Sequence, residues 1–171
     1  VHEPIRFALS PDGKRFIYAT GPRRSLAVHA AGDGKRLHEI RVPPWEGAVT
    51  GKAPVQWTAL SPDGRQAWAC DAKNKCLHRF DLAAAPPRYA GRVEVGRGVE
   101  GLMYSVDGRF LVTGAGAILN PAGGKQIGRL EDEKGRPTRA GNSMMALEVD
   151  AKTGRVLRTN QQCAPNWPAA D

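Results

Sequence analysis

The cysteines are the residues in this 171-residue sequence whose spacing most directly suggests chemistry. Two of the three cysteines, Cys70 and Cys76, flank the short segment 71–75. A hairpin over that segment would bring them close, which leaves two alternatives: half-buried free thiols, or a cross-strand disulfide, whose geometry is specific. Cys163 has no histidine or second cysteine at metal-ligand spacing, so it is interpreted as structurally incidental.

Histidines and acidic residues do not form a recognisable metal-binding pattern. His29 and His78 fall on corresponding predicted strands, and we expect them to be strand surface residues rather than ligands. The acidic run 131–133 lacks the alternating oxygen ligands and the glycine turn of a calcium loop. The sequence therefore predicts no metal and no cofactor.

The sequence lacks the well-marked catalytic motifs. The sequence contains no Gly-x-Ser-x-Gly elbow, Walker loop, dinucleotide fingerprint or His-Glu-x-x-His helix, which excludes the best-marked hydrolases, nucleotide enzymes and zinc proteases. It also contains no Cys-x-x-Cys-His, the attachment motif of c-type haem. No catalytic residue is assigned, and the sequence favours a non-enzyme without deciding the question.

An internal repeat indicates which elements must position these residues. Each copy is an apolar stretch, a turn that contains Ser-x-Asp-Gly and a second apolar stretch, at 7–19, 58–70 and 102–114. The serine hydrogen-bonds within its turn and the glycine adopts the positive φ that closes a hairpin. The serines Ser10, Ser61 and Ser105 are 51 and then 44 residues apart. One four-stranded propeller blade takes roughly 40–50 residues, so we predict an all-β propeller of about three to four blades.

A second hairpin follows each first one, as a four-stranded blade requires. We predict blades over 5–42, 54–95 and 99–130, and a C-terminal tail over 160–171. Residues 143–159 are interpreted either as a partial fourth blade or as a continuation of the third.

The repeat resembles a known family. A Ser-Pro-Asp-Gly turn between two apolar strands, followed by a strand, Asp-x-x-x-Gly and another strand, is similar to the bacterial β-propeller repeats of the YVTN type. These are distant relatives of the tryptophan-aspartate (WD) repeats. Phe80-Asp81 and Val149-Asp150 fall where WD repeats have their Trp-Asp pair, but the Gly-His dipeptide is absent. The resemblance covers roughly residues 5–158 and implies architecture rather than activity.

The resemblance also implies a ring larger than this chain. The propellers that this repeat resembles form rings of about six to eight blades, whereas 171 residues supply just under four blades. An open arc exposes unpaired strand edges. The missing blades come from a longer protein, from a second copy or from a partner subunit, unless the chain closes as a four-bladed ring.

Loops on one face of the arc are the predicted partner-binding surface. In a blade whose strands run A to D outward, the A–B and C–D turns lie on one face and the B–C and D–A loops on the other. We call the second group the basic loop face, and we expect it to bind a protein because Arg and Trp are enriched among interface hot spots. Alternatively it is a solvated basic rim with its tryptophan folded onto the scaffold. Its candidate residues are Arg23, Arg24, Trp45, Lys52, Lys73, Lys75 and Arg97.

Two functions of different class follow. The first is a non-catalytic interaction scaffold or accessory subunit, and the second is a fragment of a lactonase-like or quinoprotein-like propeller enzyme whose site needs further blades.

The net charge of +8 attracts acidic partners, but no recognition-helix, zinc-finger or RNA-binding pattern favours nucleic acid. No apolar run approaches the roughly 20 residues of a membrane span. The lack of a leader and the possible disulfide favour a bacterial periplasm or exterior.

Overall fold

Short apolar runs separated by turns fold into antiparallel sheets. The computed structural model describes residues 7–10, 12–20, 24–46, 48, 57–96, 101–105 and 107–130, and the backbone of two further strands at 144–149 and 156–161. All regular elements in these ranges are strands, so the all-β prediction is confirmed. Within the same ranges no helix is long and apolar enough to cross a membrane.

Three four-stranded sheets contain twelve of the strands, and in each sheet the spatial order follows the chain order. The first sheet consists of β1 (Phe7–Leu9), β2 (Arg15–Thr20), β3 (Ser25–Ala30) and β4 (Arg36–Arg41). The second consists of β5 (Trp57–Leu60), β6 (Gln66–Asp71), β7 (Cys76–Asp81) and β8 (Arg88–Glu94). The third consists of β9 (Leu102–Tyr104), β10 (Leu111–Thr113), β11 (Ala117–Leu119) and β12 (Gln126–Arg129). A separate hairpin pairs β13 (Met144–Val149) with β14 (Val156–Gln161).

The repeated turn has the hydrogen bonds that its sequence predicts. In the second sheet the Ser61 hydroxyl donates to Asp63 Oδ1 at 2.6 Å and accepts from the Gln66 backbone N–H at 2.9 Å. Gly64 takes φ +67°, a left-handed conformation that favours glycine. The other two copies repeat these contacts. Hydrogen bonds from Ser61 and from a backbone N–H hold the pKa of Asp63 below its ordinary value.

The sheets pack face to face because alternate residues of a strand point to opposite sides. Between the first and second sheets, Ile17, Val28 and Phe80 belong to one buried apolar cluster. Between the second and third sheets, Trp68 and Leu111 belong to another. The first strands follow one another in space, since β5 lies beside β1, β9 beside β5 and β13 beside β9. Whether the β13–β14 hairpin belongs to a fourth blade stays a prediction, as do the predicted blade boundaries.

One face of the first sheet is not covered by another sheet within the described ranges. Phe7 and Leu9 on β1 are 66% and 55% exposed. The Phe16 ring stacks on His29 with centroids 5.0 Å apart, and Phe7 meets Phe16 edge-on at 6.2 Å. We call this set, together with Tyr18, the open aromatic face.

Candidate functional site

Three side chains with ligand-type atoms lie on the face of the second sheet that packs on the first. Strand β6 ends at Asp71, a tight turn follows, and β7 begins at Cys76. Asp71 is opposite Cys76 and Ala69 is opposite His78. Because alternate residues share a face, Asp71, Cys76 and His78 point the same way. All three are buried, with exposures of 0%, 2% and 0%.

One imidazole nitrogen lies between the other two groups. His78 Nε2 is 3.5 Å from Asp71 Oδ2 and 3.8 Å from Cys76 Sγ. The other ring nitrogen, Nδ1, is 3.3 Å from the Tyr89 hydroxyl oxygen. The three ligand-type atoms lie within 4.8 Å of one another.

The Asp71 carboxylate is the charged centre of this cluster. Its Oδ1 accepts from the Asn74 backbone N–H at 3.0 Å, and its Oδ2 accepts from Asn74 Nδ2 and Arg24 Nη2, each at 2.9 Å. Burial by itself raises the pKa of Asp71. The hydrogen bonds from His78 and Asn74 and the Arg24 charge outweigh it and bring that pKa down to about 2. The carboxylate is therefore ionised at neutral pH.

Trp45 covers the cluster from the side of the first sheet. Its ring is 5.3 Å from the His78 ring, centroid to centroid. The guanidinium carbons of Arg24 and Arg92 lie over the indole at 4.3 and 4.7 Å, distances at which a cation is attracted to the ring. Trp45 is half-buried against the core between the two sheets, as in the alternative of a tryptophan folded onto the scaffold.

The structure brings together only some of the predicted partner-binding residues. Arg24 and Trp45 are in contact beside the cluster. Lys73 and Lys75 are exposed on the β6–β7 turn, and Lys75 has the left-handed φ of +53°. The partner-binding role of all seven residues stays a prediction. Three of them lie outside the described residues: Arg23, Lys52 and Arg97.

The disulfide alternative is absent from the structure. Neither Cys70 nor Cys76 forms a disulfide, and both are buried. Cys70 is opposite Leu77 whereas Cys76 is opposite Asp71, so the two thiols point to opposite faces of the second sheet. A bond between them would require a change of register.

The geometry does not match a cysteine-based catalytic triad. Burial, with the nearby Asp71 charge, raises the pKa of the Cys76 thiol to about 11, so at neutral pH it is protonated and a poor nucleophile. In a triad the carboxylate orients the imidazole through the nitrogen that does not face the nucleophile. Here both Asp71 and Cys76 face Nε2 of His78. That convergence on one point is the arrangement of a ligand set.

Sequence reasoning missed most of this cluster. The expectation that His78 is a surface residue is wrong, because the second sheet buries it against the first. A usable signal was present: Cys76 and His78 are two residues apart, and a four-residue turn places Asp71 opposite Cys76. Tyr89 carries no such signal, because its position depends on a bulge in the β7–β8 pairing.

A cleft of about 870 Å³ lies beside two of the repeated turns, on the face of the arc opposite the basic loop face. Its charges are mixed, with three arginines and three aspartates among the lining residues. Arg79 already donates to the carbonyls of Ala90 and Ala122. The cleft lining therefore has no excess of one sign of charge with which to select a ligand.

Comparison with known proteins places this arrangement of sheets. No protein-family model and no curated protein matches the sequence. The fold is similar to Kuenenia stuttgartiensis hydrazine synthase, with a TM-score of 0.62 and 17% identity over 92% of this chain and 49% of that one. It is also similar to the RRP9 WD40 repeats, with a TM-score of 0.59 and 18% identity over 86% of this chain and 43% of that one. U3-55K gives the same TM-score and identity over 86% of this chain and 44% of that one. The chain is a partial β-propeller. It spans just under half the length of these solved structures.

Identities this low establish the fold and nothing more specific. The prediction of an all-β partial propeller is confirmed, and the WD-like character of the repeat agrees with the WD40 neighbours. The YVTN type and a bacterial source stay predictions.

Proposed function

We propose that this chain is a non-catalytic interaction segment, whose open aromatic face packs on further propeller blades to complete a ring and whose basic loop face binds a protein. The open aromatic face carries the proposal. It presents Phe7 and Leu9 to solvent at 66% and 55% exposure, on the side of the first sheet opposite its packing against the second.

The occupant proposed for that face is a second copy of this chain. The solved propellers it resembles are about twice as long, so two arcs of this size supply a full ring. Burying a large apolar side chain is worth about 1.5–3 kcal/mol, which favours covering exposed Phe7 and Leu9.

Light scattering on the reduced chain tests ring completion. Two copies have twice the mass of one 18.4 kDa chain. Phe7→Asp should return the particle to the mass of one chain, because an unpaired carboxylate would be buried in the new contact. The matched control is Ile127→Asp, which changes a residue 51% exposed on β12, away from the open aromatic face. A wild-type chain that runs at single-chain mass with its fold intact contradicts this part of the proposal.

The basic loop face is proposed to contact an acidic protein surface. Lys73 and Lys75 are exposed there, and Arg24 lies beside them next to Asp71. Exposed charges of this kind set association rates and partner choice more than affinity.

Charge reversal tests the loop face. The pair Lys73→Glu and Lys75→Glu should lose a partner captured by the wild-type chain. The control pair, Lys35→Glu and Lys125→Glu, makes the same charge change at exposed turns on the opposite face. Equal capture by both pairs, measured by quantitative mass spectrometry, would place the contact elsewhere.

A further inference from the structure

We propose that Asp71, Cys76 and His78 form a Zn²⁺ site with a water molecule as the fourth ligand. The ion would tie the two ends of the β6–β7 turn together on the face of the second sheet that packs on the first. This inference is independent of the proposed function. A sulfur, a nitrogen and an oxygen donor make a mixed set that suits tetrahedral zinc better than magnesium or calcium, which prefer oxygen alone.

Two of the three donor–donor distances are close to those around a tetrahedral ion. Zinc lies about 2.3 Å from a thiolate sulfur, about 2.0–2.1 Å from an imidazole nitrogen and about 2.0–2.2 Å from a carboxylate oxygen. Tetrahedral angles then put sulfur about 3.6 Å from nitrogen, and nitrogen about 3.4 Å from oxygen. The structure has 3.8 Å between Cys76 Sγ and His78 Nε2, and 3.5 Å between His78 Nε2 and Asp71 Oδ2. These two pairs need inward shifts of only a few tenths of an ångström. The third pair, Cys76 Sγ and the Asp71 carboxylate oxygen, lies within 4.8 Å, so the thiol and the carboxylate must move toward each other to about 3.6 Å when the ion binds.

The surroundings orient two of the three ligands. Metal-bound histidines usually pair the second ring nitrogen with another polar group, and His78 Nδ1 faces the Tyr89 hydroxyl at 3.3 Å. Ligating carboxylates are also hydrogen-bonded, and Asp71 accepts three bonds of 3.0 Å or less from Asn74 and Arg24. The position on Oδ2 that faces His78 Nε2 is the one the ion occupies, in place of the hydrogen bond between these two groups.

The charge balance permits an ion despite the adjacent arginine. Asp71 supplies one negative charge and Cys76 supplies a second when zinc displaces its proton, so the two together neutralise the ion. Arg24 then remains a hydrogen-bond donor to the same oxygen, Oδ2, and stays stacked over Trp45.

Cobalt is the probe for this site, because Co²⁺ bound to thiolate in a tetrahedral site gives visible bands and a thiolate charge-transfer band. The reduced full chain is stripped with chelator, titrated with Co²⁺ and then with Zn²⁺. We expect one Co²⁺ per chain, displaced by Zn²⁺. Cys76→Ser should abolish the charge-transfer band and weaken binding by more than about 100-fold, beyond the 10- to 100-fold expected when an outer hydrogen-bond partner is lost.

Two further variants separate this site from adventitious thiol binding. The double variant Cys70→Ala, Cys163→Ser keeps Cys76 as its sole thiol and should retain the band at wild-type affinity. Tyr89→Phe should keep the band but bind about 10- to 100-fold more weakly. A band that survives in Cys76→Ser, or that is absent from the sole-thiol variant, overturns the proposal.

Zinc X-ray absorption decides the case in which Cys76→Ser does not fold. Measured on the sole-thiol variant, it should show one sulfur at about 2.3 Å and the remaining ligands at about 2.0 Å. A shell without sulfur, or a wild-type chain that takes up no zinc by native mass spectrometry, overturns the proposal.

Discussion

Replacing Arg24 by methionine tests whether the buried cluster is a structural element or a solvated rim. The change keeps a long side chain but removes the guanidinium that donates to Asp71 at 2.9 Å. The Asp71 side chain is 1% exposed, so water cannot take the place of the lost donor. Removing one partner of a buried ion pair costs about 3–5 kcal/mol. We expect about 3 kcal/mol, because both Asn74 donors remain and the Arg24 side chain is 21% exposed.

Urea denaturation at neutral pH measures this loss. At about 2 kcal/mol per molar urea, a loss of 3 kcal/mol lowers the unfolding midpoint by about 1.5 M. Arg36→Met is the matched control: its guanidinium pairs with Glu39 at 3.0 Å, but the arginine side chain is 55% exposed. An exposed pair of this kind contributes about 0.5 kcal/mol or less.

Two results would refute the reasoning about Arg24. One is a loss within about 0.5 kcal/mol of the Arg36→Met value, which would mean that Asp71 does not depend on the guanidinium. The other comes from the double-mutant cycle. Asp71→Asn removes the charge that Arg24→Met leaves unpaired, so the two losses should fall short of additivity by about 1–3 kcal/mol, and full additivity would contradict the pairing.

Two further predictions concern the turns. Lys75 holds a left-handed φ of +53°, which costs a residue with a Cβ about 1 kcal/mol or more. The free energy of unfolding in urea should therefore be at least about 1 kcal/mol higher for Lys75→Gly than for Lys73→Gly. Equal free energies of unfolding would contradict the strain at Lys75. Serine hydroxyls lower the pKa of the three repeated-turn aspartates from 3.8, so their contribution is complete above that pH and is lost as pH falls through the lowered values in the folded chain. When the three turn serines are changed to alanine, the free energy of unfolding in urea should fall less between neutral and acid pH than it does in the wild-type chain. An equal fall in both chains would contradict the role of the serine hydroxyls. The aspartates are Asp12, Asp63 and Asp107.

The fold could be predicted from sequence because its information is local. The Ser61 turn contains its own acceptor, its own donor and a glycine with the required φ, all within six residues. Three copies of such a turn define three hairpins, and their spacing defines the blade. No contact between distant residues is needed to reach that conclusion.

The buried cluster could not be predicted in the same way because it depends on long-range packing. Arg24 meets Asp71 across 47 residues, and Trp45 reaches His78 from the segment that follows β4. Periodicity assigns His78 to a face of its strand but does not say whether that face is covered. The spacing of Cys70 and Cys76 suggests that they are partners of each other, whereas the groups nearest the Cys76 thiol are Asp71 and His78.

The two described junctions between blades combine apolar packing with a hydrogen bond that bridges the sheets. Apolar burial is non-directional, so by itself it leaves adjacent sheets free to slide and rotate. Arg24 donates to Asp71 at 2.9 Å between the first and second sheets, and the Tyr104 hydroxyl donates to Gln66 Oε1 at 2.7 Å between the second and third. Gln66 and Asp71 are the first and last residues of β6, so this strand is held to one neighbour at each end. An arc held in this way keeps the open aromatic face in a defined orientation to the other sheets, as the proposed packing of a second copy on that face requires.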